Sequence, residues 1–174
     1  MKKTILLLCL CFGSIALPLS TQAQFKLGVE LGLALPFDDF SDFVETGYGF
    51  RVKGLYFLNE HLGLGLTTGF YSFGVEGDRD DDEGFRQVPL TFDVMYQFSG
   101  NKAKPYVSGG LGIHFTSFRN ENITFDTGDE LALNLGGGVL FAVADKIDIG
   151  GDLRFHIVED ISFMGLSFKA LFSF

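Results

Sequence analysis

Strict alternation of apolar and polar positions dominates the chain. In KIDIGGDLRFHI, Ile147, Ile149, Leu153, Phe155 and Ile157 share one parity, and Asp148, Asp152, Arg154 and His156 share the other. A period of two places the two sets on opposite faces of a β-strand. FKLGVELGLAL sets Phe25, Leu27, Val29, Leu31 and Leu33 against Lys26, Gly28, Glu30 and Gly32, and the next segment sets Tyr48, Phe50 and Val52 against Arg51 and Lys53. Leu62, Leu64 and Leu66 stand opposite Gly63 and Gly65, with a phase change near Phe73 that predicts a bulge. Val88, Leu90, Phe92 and Val94 oppose Thr91, Asp93 and, further on, Gln97. Leu111 and Ile113 oppose Gly110, Gly112 and His114; Leu131, Leu133 and Leu135 oppose Asn134 and Gly136; Leu166, Phe168 and Phe172 oppose Ser167 and Lys169. The pattern predicts eight antiparallel strands of about ten residues, the length that crosses a bilayer at a tilt. Pro89 lacks a ladder donor, which predicts a second local bulge.

A soluble barrel points its apolar face inward, and a membrane barrel reverses the faces. The apolar face here is Leu, Ile, Val and Phe with essentially no charge, whereas the other face mixes charges with glycines such as Gly28, Gly32, Gly110, Gly112, Gly136 and Gly138. An eight-stranded lumen is narrow and needs small residues beside long paired ones, while a solvated surface has no use for such glycines. The apolar face is therefore expected to meet lipid. A soluble lipocalin-like binder is the reversed alternative.

The connections agree. Segments 36–47, 76–84, 119–130 and 158–161 hold 16 of the 22 acidic residues and alternate with the short turns LNEH, SGNKAK and ADK. Long loops at one end and short turns at the other are the outer-membrane arrangement, with both termini expected in the periplasm. Lys2 and Lys3, the apolar run from Ile5 to Leu10 and a small-residue end at Ala23 read as a secretory signal over residues 1–23, leaving one barrel domain over 24–174. Both cysteines, Cys9 and Cys11, fall within that signal, and neither follows the small residue that lipidation requires. Removing Lys2 and Lys3 takes the formal charge from −9 to −11, a sign that disfavours nucleic acid.

QVPLTFDVMYQF followed by KPYVSGGLG resembles the "PL, alternating strand, then PYxxxGxG" segment of the Bacteroidetes-type outer-membrane β-barrel domain family, described as porin-like or PorT-like. The terminal LFSF resembles the aromatic signal read by the barrel assembly machinery, which the resemblance implies as a partner in biogenesis. Outer-membrane lipid and lipopolysaccharide are the other expected partners, and a monomeric barrel with no cofactor is expected. The chain has no Trp, so an aromatic girdle must come from Tyr and Phe.

The inward set comprises Lys26, Glu30, Arg51, Lys53, Asp93, His114, Asp148, Asp152, Arg154, His156 and Lys169, with Gln97 and Asn134. Buried charges must be paired, so these are expected to form an ionic network that fills the lumen; a small-solute pore is the alternative. In GDRDDDEG, the spacing of Asp78, Asp80 and Asp82 suggests a weak cation site, but Glu83 replaces the glycine that a calcium loop needs. A solvated loop tip is the favoured reading, and loose divalent bridging to lipopolysaccharide phosphates is a further alternative. Enzymatic readings have two anchors, His114 with Thr116, and His156 with Glu159 and Asp160. Neither shows a nucleophile, base and orienting acid together. The expected function is a non-enzymatic structural or adhesive barrel, with strand-edge pairing to an external partner as its specific form.

Overall fold

The computed structural model describes residues 24–37, 44–74, 84–120, 123–158 and 162–174. The expected signal, the Asp78–Asp80–Asp82 segment and the pair Glu159 and Asp160 lie outside them. The strands are β1 (Gln24–Pro36), β2 (Gly47–Phe57), β3 (Leu62–Gly74), β4 (Gly84–Gln97), β5 (Ala103–Asn120), β6 (Ile123–Ala144), β7 (Ile147–Val158) and β8 (Phe163–Ser173). Each pairs antiparallel with its neighbours, and β1 closes on β8 from Lys26↔Ser173 to Pro36↔Phe163.

Parity decides orientation throughout. Leu31, Leu66, Leu111, Leu131 and Phe168 lie outside at 58–74 % exposure, whereas Glu30, Lys53, Asp93, Arg154 and Lys169 lie inside at 1 %. An outer surface this apolar on every strand has lipid as its solvent, which rules out the reversed, lipocalin-like arrangement. Tyr48, Phe50 and Phe70 cluster outside near the long-loop end, and Tyr96 and Phe98 near the other, supplying the aromatic contacts that Trp does not.

Three expectations need correction. The hydrophobic phase change near Phe73 is not a bulge, because β3 keeps one register against β4 from Leu62↔Tyr96 to Gly74↔Gly84. Tyr71 and Phe73 keep the inward parity of Thr67 and are buried in the lumen, so the side chains change character while the backbone does not. Pro89 makes no bulge either: β4 stays in register with β5 through Pro89↔His114, and the missing donor only interrupts the β3–β4 ladder between Thr68↔Leu90 and Tyr71↔Gln87.

The third concerns segment 119–130, expected to be a loop and found largely as strand. β5 and β6 run to 18 and 22 residues and pair up to Asn120↔Ile123. Along this stretch the irregularity is in β6, where the register shifts between Thr116↔Gly128 and Ser117↔Asp126. Gly128, at φ 128°, supplies the backbone conformation that this shift requires and that other residues rarely adopt.

Leu111→Arg, with a charge on the lipid face, is expected to destabilise the barrel by about 2–4 kcal/mol near the bilayer midplane. Denaturant titration of the barrel refolded in lipid vesicles measures it, and a change within error would contradict the outward assignment.

Candidate functional site

The lumen is stacked in four layers, each built by equivalent positions along the strands. At the end that carries the chain termini, Asp148 takes Lys26 Nζ at 3.0 Å and Lys104 Nζ at 2.8 Å. Leu55, Phe57, Met95, Tyr106, Leu140 and Leu171 form a buried apolar layer above it. Leu55 and Phe57 share the parity of Arg51 and Lys53, and Leu171 that of Lys169, so these apolar residues point inward as the charges do.

The third layer holds four cations, Arg51, Lys53, Arg154 and Lys169, around three carboxylates, Glu30, Asp93 and Asp152. Asp152 is its hub. It accepts from Arg51 at 3.3 Å, from Arg154 at 3.3 Å and from Tyr106 Oη at 2.9 Å, and lies 3.3 Å from Lys169 Nζ. Lys169 also reaches Glu30 at 3.0 Å and sits 4.7 Å over the Tyr106 ring. Arg154 donates to Ser108 Oγ at 2.6 Å and to Asn134, while Thr67 donates to Asp93. Small residues make the room: a Cβ on Gly110 would strike Asp93 Oδ1 and the Phe92 carbonyl, and one on Gly138 would lie 2.8 Å from Tyr106 Oη.

The fourth layer, toward the long loops, is aromatic. Tyr71, Phe73 and Phe163 pack with Ala34 and Val44. His156 stacks on Phe163 with centroids 4.4 Å apart, and its Nε2 lies 3.1 Å from Tyr71 Oη. His114 sits 5.7 Å from His156, centroid to centroid.

The inward set is thus brought into one lumen but not into one network. Lys26 and Asp148 are cut off by the apolar layer and join Lys104, which the alternation did not assign to the lumen. His156 stands between Phe163 and Tyr71, whereas His114 lies directly across the β5–β6 ladder from Glu130; among the described residues neither ring nitrogen of His114 takes a hydrogen bond, and His156 meets the Tyr71 hydroxyl. Among the described residues no group of three or more His, Cys, Asp or Glu side chains is placed to hold a metal ion.

The sequence matches the family described as "Outer membrane protein beta-barrel domain" over residues 4–174. The chain belongs to this family. Among solved structures, this outer-membrane barrel is similar to Neisserial surface protein A, at 16 % identity and a TM-score of 0.73 over 87 % of this chain and 99 % of that one. A major outer membrane protein from Thermus thermophilus matches at 14 % identity and 0.63, covering 87 % and 99 %. The attachment invasion locus protein Ail of Yersinia pestis matches at 16 % and 0.58, covering 87 % and 97 %. No curated protein matches the chain. At these identities the structural likeness establishes the fold, an eight-stranded outer-membrane barrel.

Asp152→Ala leaves four buried cations facing two carboxylates and is expected to cost about 3–5 kcal/mol, the range for removing one partner of a buried pair. Tyr106→Phe removes one of the Asp152 hydrogen bonds and is expected to cost about 1–3 kcal/mol. The denaturant midpoint of each folded barrel in detergent gives both values, and equal losses would contradict the hub role of Asp152.

Proposed function

We propose that this outer-membrane barrel is a non-enzymatic structural or adhesive protein that meets an external partner through its long-loop end. The observation that carries the proposal is the β5–β6 hairpin. β6 pairs with β7 only from Ala132↔Val158 onward, so from Leu131 back to Ile123 it pairs with β5 alone among the described strands. At about 3.3 Å per residue, roughly nine residues carry this ribbon some 25–30 Å along the strand direction. The other side of the same wall is covered, since Glu45 N donates to the Gly74 carbonyl at the end of β3 at 3.0 Å. A strand continued past its neighbour offers its backbone to a partner strand, and its flanking side chains select which one.

Charge narrows the partner. The long-loop segments carry most of the acidic residues, so a basic or neutral partner is favoured and a polyanion is repelled. Ail is described in complex with a heparin analogue; that sulfated ligand is therefore not carried over to this chain. The PorT-like, Bacteroidetes-type assignment rests on the QVPLTFDVMYQF and KPYVSGGLG segments, and the periplasmic placement of the termini on the lengths and charges of the connections. Among the described residues the packed middle of the lumen argues against the small-solute pore: the cavity beside Glu30 and Arg51 has a volume of about 10 Å³, about one water at most.

Two measurements test these assignments. A cysteine placed at Thr124 is expected to react with an impermeant maleimide on intact cells and one at Asn101 only after outer-membrane lysis; the reverse pattern would invert the barrel. Replacing residues 117–127 with Asn-Gly joins Thr116 to Gly128 by a two-residue turn. Cells bearing that variant are expected to lose retention on an immobilised basic protein while the barrel still shows a heat-shifted band. Equal retention with and without the hairpin would remove the adhesive reading.

A further inference from the structure

The mouth at the terminal end is open, unlike the packed middle of the lumen. Below the apolar layer lies an open cavity of about 410 Å³ whose polar lining comes from Gln24, Lys26, Lys104, Asp145, Asp148 and Ser173. The β6 register shift between Ala142 and Ala144 moves one wall at this point. Lys26 is 5 % exposed and Asp148 3 %, so the pair is built into the wall rather than trailing in solvent. Each ammonium has three donors and directs one to Asp148, at 3.0 and 2.8 Å. The Phe57 ring, 5.1 Å from Lys26 Nζ, takes no N–H bond in the ordinary sense. Two cations thus face one buried carboxylate. The exposed Asp145 at the rim is accompanied by Lys102 and Lys146, whose carbonyls accept from Ala142 N and Ser173 N and so hold the two turns at the mouth.

We propose that this mouth is a binding site for a compact oxyanion, a carboxylate or phosphate group on a flexible chain, held by Lys26 and Lys104 in competition with Asp148. The adjacent Gln24 amide and Ser173 hydroxyl add neutral donors, and the apolar layer forms a dry floor that stops the ligand short of the central ionic cluster. The oxyanion site itself needs no orientation. Its natural source rests on the periplasmic placement of the termini proposed above, which puts the mouth within reach of periplasmic oxyanions and of inner-leaflet headgroups. The two lysines belong to different strands, β1 and β5, so the site exists only in the closed barrel.

The test uses the full barrel in detergent, with lysine Nζ-labelled NMR and isothermal titration against inorganic phosphate and, separately, acetyl-dialanine. Lys26→Met and Lys104→Met are each expected to weaken binding tenfold or more, and Lys102→Met to change it less than twofold. Asp148→Asn removes the internal competitor and is expected to tighten binding severalfold, which a merely structural salt bridge would not do. A heat-shifted band for every variant establishes that the barrel is folded. Absence of binding at 50 mM of either probe, or an affinity unchanged in the Lys26→Met/Lys104→Met double variant, overturns the site. Titration in phosphatidylglycerol against phosphatidylcholine vesicles then assigns the source: occlusion of the phosphate site only in phosphatidylglycerol indicates a lipid headgroup, and equal affinity in both indicates a soluble oxyanion. The cysteine-accessibility result at Asn101 is independent of this titration, so an inverted barrel and a failed site remain distinguishable.

Discussion

The closure of β1 on β8 is the constraint from which the rest of the structure follows. In hydrocarbon an unpaired backbone N–H or C=O costs several kcal/mol, so a spanning sheet must leave no edge. The uninterrupted pairing from Lys26↔Ser173 to Pro36↔Phe163 meets that demand. Once the sheet is closed with eight strands, the lumen diameter is set, and side chains alone must fill it. Alternation then fixes the chemistry: outward positions answer to lipid and inward positions answer to one another.

The inward positions solve the filling problem in two ways. Near the middle, glycines admit Arg51, Lys53, Arg154 and Lys169 and let their heads meet Glu30, Asp93 and Asp152. Toward the ends, apolar and aromatic side chains complete the packing without charge, as Leu55, Leu140 and Leu171 do below and Tyr71 and Phe163 above. Buried ion pairs contribute little net stability against apolar replacements of equal volume. The contribution consistent with so many is specificity: a strand slipped by one residue would carry its charges into lipid, so the cluster penalises every wrong register.

Strand number, face orientation and the inward charges were legible because they depend on parity, which sequence displays directly. What remained hidden depends on contacts between distant strands. Arg51 meets Asp152 across 101 positions and Lys26 meets Asp148 across 122, and nothing local marks these partners. Hydrophobicity also misled where parity would have served. Phe73 reads as a phase change by composition yet keeps the parity of Thr67 and Tyr71, and Phe57 keeps that of Lys53. Segment 119–130 reads as a loop because its acidic residues resemble a solvated connection. A strand that leaves the membrane is released from the lipid rule, so its outward positions no longer have to be apolar.

That release locates function by elimination of space. The middle of the barrel is occupied from wall to wall, and its side chains are committed to one another. Chemistry with the surroundings is confined to the two ends, which differ in kind. At one end β6 runs on past its pairing with β7 and is held by β5 alone among the described strands; the other is a recessed mouth where Lys26 and Lys104 outnumber the single buried carboxylate between them. The apolar layer and the aromatic layer lie between these ends and the central cluster and meet it through Tyr106, which donates to Asp152, and Tyr71, whose ring lies under Arg51. The two ends are separate surfaces on one closed barrel, with Glu30, Asp93 and Asp152 packed against their four cations between them.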